Sequence, residues 1–218
     1  MIVAIDGPVA SGKSTAARNL ARALGFQYLD TGAIYRALTV LARRSATDAG
    51  CREAVRRMLA SASVRLEGDA VFLDGEDVSG EIRLPEVSSS VRPLAENPDV
   101  REYVKNFERS LAAGKNVVVE GRDMATVVFP QADVKIFLTA SVEERARRRW
   151  EELEARGTPQ DYQSVLADLI ARDKADMTRK IAPLRKAPDA IEVNTTGLLA
   201  EESASRLLAV IRDRLKGR

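Results

Sequence analysis

The first 24 residues constrain the fold more than any other stretch. Met1-Ile2-Val3-Ala4-Ile5 is an apolar run suited to a buried strand. Gly7-Pro8-Val9-Ala10-Ser11-Gly12-Lys13-Ser14-Thr15 follows it, and Ala16 to Leu24 then has helical spacing and composition. Strand, glycine-punctuated loop and helix in this order form the phosphate-binding P-loop pattern. Gly7 and Gly12 permit backbone angles that turn successive N–H groups inward, so the loop and the helix N-terminus make a concave anion site. Lys13 has the reach for β- and γ-phosphates, and the Ser14 hydroxyl suits Mg²⁺. A nucleoside triphosphate such as ATP is therefore expected on residues 7 to 15, with its fate still open.

The rest of the composition removes whole classes of chemistry. The chain has 218 residues and no histidine, which excludes Ser-His triads, histidine general bases and most catalytic zinc sites. Phosphoryl transfer tolerates that restriction, because positioning and charge neutralisation supply most of its catalysis. A single cysteine, Cys51, rules out an intrachain disulfide and a cysteine metal site, and a reducing cytoplasm is expected. No apolar run approaches the roughly 20 residues of a membrane span, and the N-terminus enters a strand instead of a signal segment, so no membrane partner is expected. Net charge is only +2 despite 34 Lys and Arg, unlike the one-sided excess of a nucleic-acid-binding domain. Arginine is then best read as local, directed at phosphates.

Ile2 to Ile5, Asn116 to Val119 and Val134 to Leu138 read as buried strands of an α/β fold with a central parallel sheet. Phe26 to Leu29 and Ala190 to Val193 are candidate further strands, Leu198 to Leu215 is a closing helix, and Lys216 to Arg218 is expected to fray. Residues 64 to 78 break the rhythm. Val64-Arg65-Leu66-Glu67 and Val71-Phe72-Leu73, with turn pairs Gly68-Asp69 and Asp74-Gly75, suggest a small antiparallel insertion. Glu143 to Arg179 is rich in Arg145, Arg147, Arg148, Arg149, Arg156, Arg172 and Arg179 among many acids. This reads either as solvated helices with i,i+4 ion pairs or as a flap, broken at Gly157-Thr158-Pro159, that closes over a nucleotide.

Three constellations bear on the second substrate. Asp30-Thr31-Gly32-Ala33-Ile34-Tyr35-Arg36 starts at the carboxyl end of a strand, where open α/β sheets bind ligands, and the Arg36 guanidinium can grip a phosphate at two points. Glu120-Gly121-Arg122-Asp123-Met124 leaves the strand at 116 to 119 on the same edge. Glu120 could orient water on Mg²⁺, Arg122 could bind an acceptor phosphate and Asp123 could accept from an exocyclic amine; the bland alternative is a local Arg122–Asp123 ion pair. Arg172, Asp176 and Arg179 are spaced by four and three, which places them on one helical face.

With these residues in view, the chain resembles the bacterial cytidylate kinases over nearly its whole length. The resemblance rests on residues 7 to 15, 30 to 36, Gly75-Glu76-Asp77-Val78-Ser79-Gly80-Glu81-Ile82-Arg83, Gly121-Arg122-Asp123-Met124, Thr126-Val127-Val128-Phe129-Pro130 and 176 to 184. It implies a P-loop three-layer fold, with a core of residues 1–59, 94–144 and 176–218, a β-rich nucleotide-acceptor insertion at 60–93 and a helical lid at 145–175. It also implies that Arg36, Arg122 and Arg179 bind the acceptor phosphate, Thr31, Arg101 and Asp123 contact cytosine, and Arg172 and Asp176 address the sugar. Lys13, Arg122, Arg179 and the lid's Arg148 would be catalytic, with ATP as donor, CMP and dCMP as acceptors, and a monomer as the working form. Uracil carries a carbonyl where cytosine has its amine, so it would leave the Asp123 carboxylate facing an acceptor. Two positions depart from the pattern: Arg92 stands where a sugar-binding serine is expected, and Ala125 replaces a usual glycine. Other small-acceptor kinases of adenylate, uridylate or shikimate, and a nucleotide-dependent switch or RNA-associated module, are the competing readings.

Overall fold

The computed structural model describes residues 1–216; Gly217 and Arg218, the end of the tail expected to fray, lie outside them. The chain divides into two compact units, one formed by residues 1–29 with 114 onward, the other by residues 30–113.

Element order begins β1 (Ile2–Asp6), α1 (Lys13–Leu24) and β2 (Gln27–Asp30). The second unit then contributes α2 (Thr31–Arg44), α3 (Arg52–Ser61), β3 (Val64–Glu67), β4 (Ala70–Leu73), β5 (Glu76–Asp77), α4 (Pro85–Ala95) and α5 (Pro98–Ala112). The first unit resumes with β6 (Val117–Gly121), β7 (Val134–Thr139), α6 (Val142–Ala155), α7 (Tyr162–Thr178), β8 (Ile191–Asn194) and α8 (Ala200–Lys216).

The five strands of the main sheet lie in the order β2-β6-β1-β7-β8, with β1 parallel to both β6 and β7, and β7 parallel to β8. Central parallel strands are covered on both faces, which is why β1 and β6 read as nearly unbroken apolar runs. Val3, Ile5, Val118, Ile136 and Leu138 form one core with Ala16, Ala17 and Leu20 of α1 and with Leu207 and Ile211 of α8. Each fully buried Leu or Ile there is worth about 1.5–3 kcal/mol of transfer free energy. The small Ala16 and Ala17 let α1 approach the sheet closely, and that approach fixes the direction of its N-terminus. Register aligns Ile5 with Glu120 and Asp6 with Gly121, so the P-loop and the segment after β6 leave the sheet side by side.

In the second unit β3, β4 and β5 form an antiparallel sheet, with Val64 opposite Leu73 and Leu73 opposite Glu76. The antiparallel insertion expected from the turn pairs is thus present. Its core joins Leu73, Ile82 and Leu94 to Ile34 and Leu38 of α2 and to Val100 and Val104 of α5. No helix among the described residues is long and apolar enough to cross a membrane.

Candidate active site

The P-loop leaves β1 pressed against β7. Gly7 has φ +154°, and a Cβ built there would lie 2.0 Å from the Leu138 carbonyl oxygen, so no side chain fits without moving the sheet. Ala10 (φ 58°) and Gly12 (φ 86°) are left-handed, the alternation that turns N–H groups toward a common centre. Gly12 is also the N-cap of α1, whose first residue is Lys13.

The Lys13 side chain is buried, and its Nζ donates to the Pro8 carbonyl at 2.6 Å and to Ser11 Oγ at 3.4 Å. Burial pushes this ammonium down to about 7, with the charge of Arg122 adding to the effect and Glu120, Asp6 and Asp176 opposing it. Ser14 Oγ donates to Glu120 Oε1 at 2.6 Å, and the Tyr28 hydroxyl reaches the same oxygen at 3.1 Å. Val9 is held at both ends of its backbone. Its N–H donates to Asp173 Oδ1 at 3.3 Å and its carbonyl accepts from Arg145 Nη1 at 3.0 Å, while Arg145 and Asp173 pair at 2.6 Å. Arg148 donates to Glu144, to the Thr195 side chain and carbonyl, and to the Leu198 carbonyl. Its Nη1 lies 3.6 Å from the position of a Cβ on Gly12, beside the loop.

The segment after β6 carries the next set of charges. Arg122 and Asp123 do not pair with each other: Arg122 Nε donates to Asp176 Oδ2 at 2.7 Å, and Arg179 Nη2 reaches Asp123 Oδ1 at 3.3 Å. Two chain neighbours thus bond across to a segment more than 50 residues away. Burial alone would lower Arg122, but the charge and hydrogen bond of Asp176, together with the charges of Glu120 and Asp173, raise the guanidinium above its usual value. Arg172 is lowered, first by burial and then by the charge of Arg122. A cluster in which cations already strain against one another is suited to an anionic ligand.

Arg179 is not on a helical face with Arg172 and Asp176. Helix α7 ends at Thr178 and Arg179 is extended (φ −59°, ψ 144°). The chain then folds back, the Leu184 N–H donating to the Asp176 carbonyl and Arg179 Nε to the Ala182 carbonyl. That return turns Arg179 toward Asp123, which helical spacing could not have done.

Behind this segment lies Asp6, which is 1% exposed and accepts from the N–H groups of Met124 and Ala125, both at 2.8 Å. Burial pushes it up to about 6, against the lowering effect of those two bonds.

The second unit holds Thr31, Arg36 and Arg101. Thr31 is buried as the first residue of α2, where Asp30 caps the helix by accepting from the Ala33 N–H at 3.0 Å. Arg36 donates to Asp30 at 3.1 Å. Arg101 is buried on α5, its guanidinium 5.9 Å from the centre of the Tyr35 ring and its Nη1 donating to the Ala95 carbonyl. Arg92, at the position expected for serine, is exposed and donates along its own helix to Glu96 at 2.7 Å.

Residues 3–213 match the family model for cytidylate kinase. This chain belongs to the cytidylate kinase family. A cytidylate kinase of Caldanaerobacter subterraneus is 47% identical over 99% of this chain and 96% of its own length. One of Carboxydothermus hydrogenoformans is 48% identical over 97% of each. At the level of fold alone, an uncharacterised protein from Eubacterium ventriosum superposes with a TM-score of 0.54 at 14% identity, covering 97% of this chain and 98% of that one. The chain is thus a kinase of the α/β class, as its sequence pattern indicated.

For a cytidylate kinase family member, the donor set of hydroxyl and carboxylate at Ser14 and Glu120 is hard oxygen chemistry that fits Mg²⁺. The described residues contain no cluster of three or more acidic, histidine or cysteine side chains able to cage a metal. Tyr28, Asp6, Asp173 and Thr195 stand in no motif of the sequence, and Arg145 stands there only as one of seven arginines between Glu143 and Arg179. Asp6 carried one signal, a carboxylate at the buried end of a strand directly before the loop; the others are joined to the site by contacts that spacing does not reveal.

Proposed function

We infer that this chain transfers the γ-phosphoryl group of ATP to CMP, giving ADP and CDP, and we propose dCMP as a second acceptor. The family membership across nearly the full length carries this reading. The crossed pairs Arg122–Asp176 and Arg179–Asp123 support it, because they gather two guanidinium groups and two carboxylates on the sheet edge that bears the P-loop.

ATP would lie on residues 7 to 15, its phosphates meeting the inward N–H groups and Lys13. A phosphate oxygen of CMP, already ionised, attacks the γ-phosphorus in line; the new O–P bond forms as the bond to the bridging oxygen of ADP breaks. No general base is needed, which suits a chain without histidine. Arg122 and Arg179 would exchange their carboxylate partners in part for phosphate oxygens and hold the acceptor in place, as would Arg36. Arg148, beside Gly12, would share in neutralising charge by releasing bonds to Thr195 or Leu198. Ser14 would hold Mg²⁺, with Glu120 orienting a water on it, and the ion's contribution is to offset the charge developing on the phosphate oxygens. Asp123 would accept from the cytosine amine, Arg101 would donate to the ring, and Thr31 would contact the base; Arg172 and Asp176 would meet the sugar. The exposed thiol of Cys51, unpaired, is in keeping with a cytoplasmic setting.

The test is ADP formation with CMP, dCMP, UMP, AMP or no acceptor. Rates highest with CMP and dCMP support the reading; preference for AMP or UMP, or an acceptor-independent rate as high as that with CMP, rejects it.

A further inference from the structure

Residues 124 to 128 form a single π-type turn directly after Asp123, closed by bonds from the Val127 and Val128 N–H groups to the Asp123 carbonyl and from Phe129 N–H to the Met124 carbonyl. The first N–H groups of such a turn have no partner inside it and are ordinarily capped by the side chain at the N-cap. Aspartate is among the residues best suited to that task, and Asp123 occupies the position, with φ −144° and ψ 22°. Yet its side chain makes no capping bond. The two N–H groups of Met124 and Ala125 go instead to Asp6, one to each carboxylate oxygen, across 118 and 119 residues of sequence. The Asp123 carboxylate is turned to Arg179.

We propose that Asp6 is a positioning residue for acceptor recognition: it caps the 124–128 turn in place of Asp123, and so holds the Asp123 carboxylate where it can meet the base of the acceptor. The consequence for acceptor selectivity rests on the CMP-kinase reading; the capping geometry stands apart from it. Both oxygens of Asp6 are committed to backbone donors in a buried setting, so the arrangement is directional. Asp6 also directly precedes Gly7, which ties the frame of the acceptor-reading segment to the strand that launches the donor loop. With Asp6 unable to cap, Asp123 at the N-cap position is the local carboxylate suited to take the turn's N–H groups, and a rotation into the cap would take it out of the site.

The test is Asp6→Asn in the intact chain. One amide oxygen keeps one of the bonds, and the amide N–H₂ opposes the other donor. The kcat/KM for CMP is expected to fall about tenfold to a hundredfold, the loss of one charge-assisted bond. The rate constant for UMP should change less than about threefold and the KM for ATP less than about twofold, so that CMP-over-UMP selectivity collapses. Added to Asp123→Ala, the substitution should cost little more. Equal losses on CMP and UMP, a raised ATP KM, or losses that multiply in the double variant overturn the proposal. Should Asp6→Asn fail to fold, amide NMR of Asp123→Ala decides: the Met124 and Ala125 amide protons should keep their wild-type shifts, and an upfield move of both would show that Asp123 was their partner. Wild-type protein inactive on CMP would remove the functional reading, while the amide shifts would still judge the cap.

Discussion

Arg145 of α6 and Asp173 of α7 join those two helices to the P-loop, and separating their energies is a demanding check on how that loop is held. Their side chains are 7% and 11% exposed and meet at 2.6 Å. Arg145 also donates to the carbonyls of Ala140 and Val9, and Asp173 accepts from the Val9 N–H. Arg145→Met would strand a buried carboxylate and deprive two carbonyls of a donor, a loss of about 3–5 kcal/mol. In a chain of this size about 2–4 °C of melting temperature accompanies each kcal/mol, so a drop of about 6–20 °C is expected. Asp173→Leu should cost a comparable amount by stranding the guanidinium. The double variant should lose far less than the sum, because no unpaired charge remains, with a coupling energy of at least about 1.5 kcal/mol. Thermal and urea melts of the four proteins supply the cycle, and steady-state kinetics supply the functional side. Since both groups grip the Val9 peptide, the KM for ATP should rise in each single variant while the KM for CMP stays near wild type. Additivity within about 0.5 kcal/mol, or an unchanged ATP KM, would refute the reasoning.

Lys13→Met should lower turnover on the order of a hundredfold or more while leaving the melting temperature unchanged or raised, because it removes a buried ammonium that burial already disfavours; a fall in melting temperature with full activity contradicts this. Asp123→Ala should reduce kcat/KM on the order of a hundredfold for CMP and much less for UMP, and equal losses would speak against amine recognition. Asp6, raised from 3.8 to about 6, binds its proton more tightly in the native than in the unfolded chain. Its share of stability is therefore full below pH 3.8 and lost as pH rises through about 6, a change of about 3 kcal/mol. Denaturant melts across that window should show a shallower decline in Asp6→Asn, and identical slopes would contradict the assignment.

What the sequence disclosed was whatever local pattern determines. The strand at residues 2 to 6, the loop and the helix after it follow from an apolar run and two glycines, and β3 and β4 follow from short alternating runs between turn pairs. Arg122 and Asp123 were legible as charged residues at a sheet edge, but not their partners, because each bonds to a residue more than 50 positions away. Helical spacing placed Arg179 with Arg172 and Asp176, whereas the helix stops one residue short and a return of the chain re-aims it. Arg145 was hidden among solvated neighbours: Arg147, Arg148 and Arg149 do pair with acids three or four residues away, and nothing local marks Arg145 as the buried one. Asp6 escaped for the same reason, its bonds being fixed by sheet register and not by spacing.

The most direct test follows the transferred group itself. Protein, Mg²⁺ and ATP labelled on the γ-phosphate are mixed with CMP, and the products are separated. Two-substrate transfer predicts that nearly all label leaving ATP appears in CDP, with little inorganic phosphate in the presence or absence of CMP. Label released as inorganic phosphate at a rate indifferent to CMP would contradict it.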